Sequence, residues 1–152
     1  MQVPHDTYVL VADGRKLLFL RNEGDAQALK LKVETAEDHP NPATRDQATD
    51  AAGRSSSTSP GGGNARTGSS MEQTDFHQIE EDRFAAEAAA MLKKRALAND
   101  FERLIIVAPP KTLGELRKHY HKEVEQRLTG ELAKDLTGHP IPDIEAALLA
   151  AE

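Results

Sequence analysis

The apolar residues of this 152-residue chain fall into two blocks, 7–33 and 76–149, with almost none between them. Burial of apolar surface drives a chain to collapse, so the stretch between the blocks has nothing to offer a core. The distribution predicts one body of about 100–110 residues, an ordinary domain size, interrupted by a polar excursion. Residues 1–152 therefore read as a single domain with 36–73 as a flexible loop. Closing a long loop costs little more than closing a short one. A loop near forty residues inside a compact domain is nonetheless uncommon, and such loops are usually functional or disordered.

Within the first block, "TYVLVADGRKLLFLR" predicts a β-hairpin. Tyr8 to Ala12 is rich in strand formers, Asp13-Gly14 is a turn signal, and Leu17 to Leu20 follows. The run Leu17-Leu18-Phe19-Leu20 is apolar on both faces, as in a strand covered on both sides. "ALKLKVET" alternates, with Leu29, Leu31 and Val33 opposite Lys30, Lys32 and Glu34, and predicts a half-exposed third strand. Lys30 and Lys32 suit a guarded sheet edge.

The second block opens with a helix predicted from about Asp75 to Asn99. Thr74 or Asp75 would cap it, with Gln78 at capping-box spacing. Phe76, Ile79, Phe84, Ala88, Met91 and Leu92 would form its apolar face. Glu80, Glu81 and Asp82 come early and Lys93, Lys94 and Arg95 late, in the sense the helix dipole favours. Leu104 to Ala108 reads as a buried strand ended by Pro109-Pro110. Thr112 and Glu115 would cap a helix over 112–121. Residues 124–131 fit either helix or strand and are taken as a strand. Pro142 suits the first turn of a closing helix to Ala151. Strand, loop and helix in this order are the grammar of an α/β fold.

With no cysteine in the chain, disulfides and thiolate metal sites are excluded. No segment approaches the run of about 20 apolar residues that a membrane span needs. Nor does the N-terminus show a signal-peptide pattern, so a soluble, cytoplasmic protein is expected. The net charge of −6 opposes non-specific binding to nucleic acid and leaves only a local basic patch for that purpose.

Catalytic constellations are hard to find. A metal-dependent nuclease would need converging carboxylates, but Asp13, Asp75, Asp100 and Asp135 each have a turn, cap or loop position that explains them. His119 and His121 are two apart and diverge on a helix. The other histidines read as surface residues. There is no nucleophile elbow and no dinucleotide fingerprint. Lys111, Arg117, Lys118 and Lys122 read as a solvated helix face. No cofactor or metal is expected, and the chain reads as a binding protein rather than an enzyme. The remaining candidate is "GRSSSTSPGGGNARTGSS", residues 53–70, where Gly61-Gly62-Gly63 would let backbone approach a partner closely. Arg54 and Arg66 flank it and would favour phosphate.

Taken in order, "YVLVADGRKLLFLR", "GRSSSTSPGGG", "DFHQIEEDRFAAEAAAML", "LIIVAPPKTLGELRKHY" and "ELAKDLTGHP" resemble the bacterial host attachment family. That family is in turn similar to the central domain of the class I release factors and their Pelota relatives. The resemblance implies a ribonuclease-H-like mixed sheet of about five strands, helices on both faces, and a long Gly/Ser-rich insertion loop. In release factors this loop ends in a Gly-Gly-Gln tip that helps water attack the peptidyl-tRNA ester. By resemblance Gly61, Gly62 and Gly63 stand near that tip, followed by Asn64 where the glutamine would be. Asn is one methylene shorter, and such chemistry depends on fine positioning, so hydrolysis is not carried over. The resemblance implies a non-enzymatic binding or accessory role. One version is attachment to host cells. The alternative is a ribosome-associated release- or rescue-like factor whose Arg54, Gly61, Gly62, Gly63, Asn64 and Arg66 contact rRNA or tRNA.

Overall fold

The computed structural model describes residues 1–38 and 62–151, with side chains for 1–37 and 78–151. Five strands form one mixed sheet: β1 (Tyr8–Ala12), β2 (Lys16–Asn22), β3 (Leu31–Asp38), β4 (Leu104–Ala108) and β5 (Leu128–Ala133). Their spatial order is β3-β2-β1-β4-β5. The first three strands run antiparallel to their neighbours as a meander, while β4 lies parallel to β1 and β5 parallel to β4. The helices are α1 (Gly62–Leu97), α2 (Pro110–Arg117), α3 (Lys122–Arg127) and α4 (Ile141–Ala150).

Alternation along the strands sorts the core into two layers. On one face Leu10, Ala12, Leu17, Phe19, Leu104 and Ile106 meet Phe84, Ala88 and Leu92 of α1, Leu113 and Leu116 of α2 and Val124 of α3. On the other, Val9, Val11, Leu20, Ile105 and Val107 meet Ile144 and Leu148 of α4, with Val3 and Leu136. Every residue of β4 is buried, as a parallel strand covered on both faces must be. The sheet, its helices on both faces and the strand order match the α/β, ribonuclease-H-like expectation.

Several boundaries differ from expectation. The backbone of α1 begins at Gly62 and runs for 36 residues, about 54 Å. Thr74 and Asp75 are thus interior positions and not caps, and Gln78 donates forward to Asp82 Oδ1 at 2.9 Å. No proline follows Pro60 until Pro109, so every residue of this span keeps the N–H that helical bonding needs, and propagation from the packed part of the helix carries it through the poor helix formers Gly68, Ser69 and Ser70. Ile79 is exposed, and the continuous buried stripe starts at Phe84. β3 extends to Asp38 because β2 supplies main-chain partners as far as Lys16. Ordered backbone therefore enters the expected 36–73 excursion from both ends; residues 39–61 lie outside the described residues.

The α2 cap also differs: Pro109 holds the N-cap position without a side-chain bond and Pro110 opens the helix, where its missing N–H costs nothing. Thr112 and Glu115 are inside. Residues 124–131 divide between two elements. His121 Nδ1 accepts from Glu123 N at 3.0 Å and starts α3, and from Leu128 the chain pairs with β4. The alternatives left open by the sequence were each half of the answer. Pro142 sits in the first turn of α4 as expected.

Two polar side chains pin the end of the sheet where β1 begins. Buried Asn22 donates to Val3 O at 2.8 Å and Pro4 O at 3.2 Å, and accepts from Gly24 N at 2.9 Å and Lys30 N at 3.0 Å. It fixes the N-terminal arm and the β2–β3 connection together. Arg127 donates to Phe101 O at 3.0 Å, Asn99 Oδ1 at 2.9 Å and Glu123 Oε2 at 2.8 Å. Asn99 closes α1 in the left-handed region, φ 57°, a common role for Asn at helix ends. Between α1 and the sheet, Arg95 lies 4.8 Å above the Phe19 ring and donates to Thr35 Oγ1 at 2.9 Å.

Arg117 and Tyr120 both reach Glu131 on β5. Arg117 Nη2 donates at 2.7 Å and the Tyr120 hydroxyl at 3.1 Å. Burial, then the Glu131 charge and this hydrogen bond, push the Tyr120 phenol well above its ordinary value of 10.0. A phenol whose folded pKa is raised favours the folded state fully below the ordinary value. That contribution is lost as pH rises through and beyond it. Urea-unfolding stability should therefore decline above pH 10.0 more steeply in the wild type than in Tyr120→Phe. Parallel declines would show that Tyr120 carries no such linkage.

Candidate functional site

The carboxyl ends of β1, β4 and β5 share one end of the sheet, the end where open α/β sheets take their ligands. β3 leaves the sheet at this end, since it runs antiparallel to β2. Residues 39–61, which include the first part of the glycine segment, lie between β3 and α1 in the chain, and the rest of the segment, from Gly62, belongs to α1.

At the tip of the β1–β2 hairpin, Asp13 Oδ1 accepts from Arg15 N at 2.7 Å and Lys16 N at 2.6 Å, and Asp13 N donates to Lys16 O at 2.9 Å. The two-residue loop is thus Gly14-Arg15, with Asp13 as the first corner, not Asp13-Gly14. No described glycine has positive φ; the turn is held by the Asp13 side chain in the manner of an Asx turn. Gly14 matters for another reason. A Cβ there would stand 3.0 Å from Cγ of Glu81 on α1. Glu81 Oε2 in turn lies 3.7 Å from Lys111 Nζ, just beyond β4. Hairpin, long helix and β4–α2 turn therefore converge on one side chain.

Asp13 has a second partner. Thr137 Oγ1, in the β5–α4 connection, lies 2.8 Å from Asp13 Oδ2 and 2.9 Å from Asp135 Oδ1. One hydroxyl proton serves two carboxylates from residues 122 positions apart in sequence. Sequence reasoning assigned Asp13 and Asp135 separate local jobs and did not bring them together. Only the topology, which sets the ends of β1 and β5 at one end of the sheet, could have done so. Among the described residues no three His, Cys, Asp or Glu side chains converge as a metal site would need. Asp100 is at the opposite end of the sheet, beside a cleft of about 310 Å³. There Arg21 already faces Asp6 at 3.7 Å, Glu23 at 3.4 Å and Glu34 at 3.9 Å, so its charge is met within the protein.

Beside Thr137 is a hollow of about 150 Å³ lined by Lys16, Leu17, Leu18, Ala36, Glu37 and Thr137. Of the loop candidates, Gly62, Gly63, Asn64 and Arg66 fall on the backbone of the first turns of α1. Arg54 and Gly61 lie outside the described residues. The residues expected as a solvated face divide: Lys111 pairs with Glu81, Arg117 with Glu131 and Lys118 with Glu115. No helix among the described residues is long and apolar enough to cross a membrane.

The arrangement defines an α/β protein whose edge strand β3 ends at the carboxyl end of the sheet and is followed, after residues 39–61, by the long helix α1. Residues 6–148 match the bacterial archaeo-eukaryotic release factor family 12, and the chain belongs to that family. It is also 34% identical, over 79 residues, to the uncharacterised protein RP470 of Rickettsia prowazekii (strain Madrid E), covering 51% of this chain and 53% of that one. The matched region thus spans about half the length of that relative. The release-factor likeness expected from the sequence stands on the family match; the host-attachment name draws no support from it.

The Thr137 bridge gives a direct test. Thr137→Val should leave both carboxylates without their shared donor and cost about 1 kcal/mol of stability in urea unfolding. Thr137→Ser should retain most of it. Equal loss in both variants would mean that the methyl group, not the hydroxyl, holds the two connections together.

Proposed function

We propose that this protein is a ribosome-associated release- or rescue-like factor acting by binding rather than by ester hydrolysis. The observation that carries the reading is the release-factor family match across residues 6–148, essentially the whole folded body. The chain's own residues supply the rest. The segment 53–70 contains Gly61-Gly62-Gly63, which lets backbone come close to a partner, and Arg54 and Arg66, which suit phosphate. Asn64 stands where the resemblance would put a catalytic glutamine. The reading therefore assigns Arg54, Gly61, Gly62, Gly63, Asn64 and Arg66 to contact with rRNA or the tRNA end, and assigns no residue to hydrolysis.

Binding of this kind is local. The chain carries −6 overall, so long-range attraction to RNA is absent and short-range contacts must dominate. Salt dependence then reports the few cations engaged. Wild-type protein should co-sediment with 70S ribosomes and dissociate as salt rises. Arg54→Ala/Arg66→Ala should bind more weakly at every salt concentration, with a log–log salt slope smaller by about 2. Equal binding by wild type and double variant, or no sedimentation of either at low salt, would overturn the reading.

A further inference from the structure

β3 forms one edge of the sheet, and among the described residues no strand pairs with its outer side. Edges of this kind are templates for pairing with another chain unless they are guarded. The pairing with β2 shows which groups face outward. Lys30 O accepts from Glu23 N of the preceding connection at 2.8 Å, whereas Leu31 N turns away from β2 and donates to Glu145 Oε2 at 2.8 Å. Alternation in an antiparallel ladder then turns the main-chain groups of Val33 outward. The bulge opposite Phe19 and Leu20 makes Glu34 and Thr35 share one ladder position. Beyond it, Ala36 faces outward again and Glu37 inward.

This bulge gives the edge a symmetry that a regular strand of the same sequence would lack. Turn the strand about a two-fold axis through the Glu34–Thr35 position, and each outward group meets an outward group. Val33 falls opposite Ala36 of the second copy, with four main-chain hydrogen bonds across the axis. Lys32 falls opposite Glu37 of the second copy, a pair of opposite charges on one face of the sheet, a favourable cross-strand combination. On the other face Val33 and Ala36 meet their counterparts. Val33 is among the few large apolar side chains exposed, at 39%. Leu18, partly buried, pairs with Ala36 within the chain and adds apolar surface beside it. The two Glu34 side chains come near the axis, and each has its own Arg21 at 3.9 Å.

We infer that β3 pairs antiparallel with β3 of a second copy of this chain about the Glu34–Thr35 bulge, giving a two-fold dimer with a continuous ten-stranded sheet. Lys32, on the sequence alone a guard against edge pairing, lies 3.8 Å from Glu23 within its own chain, and in the dimer it would be shared between Glu23 and Glu37 of the second copy. The interface shares Leu18, Ala36 and Glu37 with the wall of the hollow beside Thr137, but it does not use the glycine segment, so it stands apart from the proposed ribosome contact.

Sedimentation equilibrium over a range of concentrations tests the pairing. Wild type should associate to twice the chain mass, and a monomer at the highest concentrations reached would overturn the inference. Ala36→Pro removes an N–H that the β2–β3 ladder does not use, so it should weaken association at least tenfold while far-UV circular dichroism and Tm stay near wild type. A dimer undiminished in Ala36→Pro would place the interface elsewhere. If that variant misfolds, the charge pair decides: Lys32→Glu should weaken the dimer and Lys32→Glu/Glu37→Lys should restore it. Failure of the double variant to restore association would contradict the register.

Discussion

The parallel pairing of β1 with β4 is the contact on which the rest of the structure depends. Four residue pairs, from Tyr8 with Leu104 to Val11 with Val107, join segments separated by more than half the chain. The pairing is costly to form, because a long loop must close before any of its contacts can stabilise it. What offsets that cost is burial on both faces. Leu10 and Ile106 face α1, while Val9, Val11, Ile105 and Val107 face the α4 layer. Without this central pair, a three-stranded meander would expose its apolar side and α1 would have no sheet to lie on.

Given that pairing, the ends of the sheet acquire different characters. Where β1 begins, Asn22 and Arg127 bind loops tightly to the body, with nearly all their polar capacity spent on main-chain or local partners. Where β1 ends, the contacts among the described residues turn on single side chains: Asp13 on Thr137, and Glu81 between Gly14 and Lys111. In open α/β sheets ligands bind outside the carboxyl ends of the strands, which here is the end where β1 finishes. A contact made at the glycine segment would reach the core through α1, whose main-chain bonding is continuous from Gly62 to the buried stripe at Phe84.

Much of the sheet was legible in the sequence because its signals were local. Leu104 to Ala108 is an unbroken apolar run between a charged stretch and two prolines, and it is the most buried strand. The double-sided apolar pattern of Leu17 to Leu20 foretold helices on both faces. The errors occurred where a partner decides the outcome. β3 continues to Asp38 through pairing with β2, not through its own alternation. Thr112 and Glu115 spell a capping box that Pro110 pre-empts. Residues 124–131 lie where a short helix hands over to a strand, so each periodicity fits part of the segment. Of the candidate site, the glycines and arginines were visible as composition, whereas the Asp13–Thr137–Asp135 bridge was not. Its members are joined only by topology, which a periodicity argument does not reach.

The central claim is that the meander and the α1–β4–β5 half are one cooperative body. Native-state hydrogen exchange followed by mass spectrometry tests it most directly, since cooperative units open with a common free energy. Amides of Tyr8–Ala12 and Leu104–Ala108 should be the most protected and should exchange together, with the same dependence on denaturant. Exchange of the meander at distinctly lower denaturant than β4, as a separate unit, would contradict the claim.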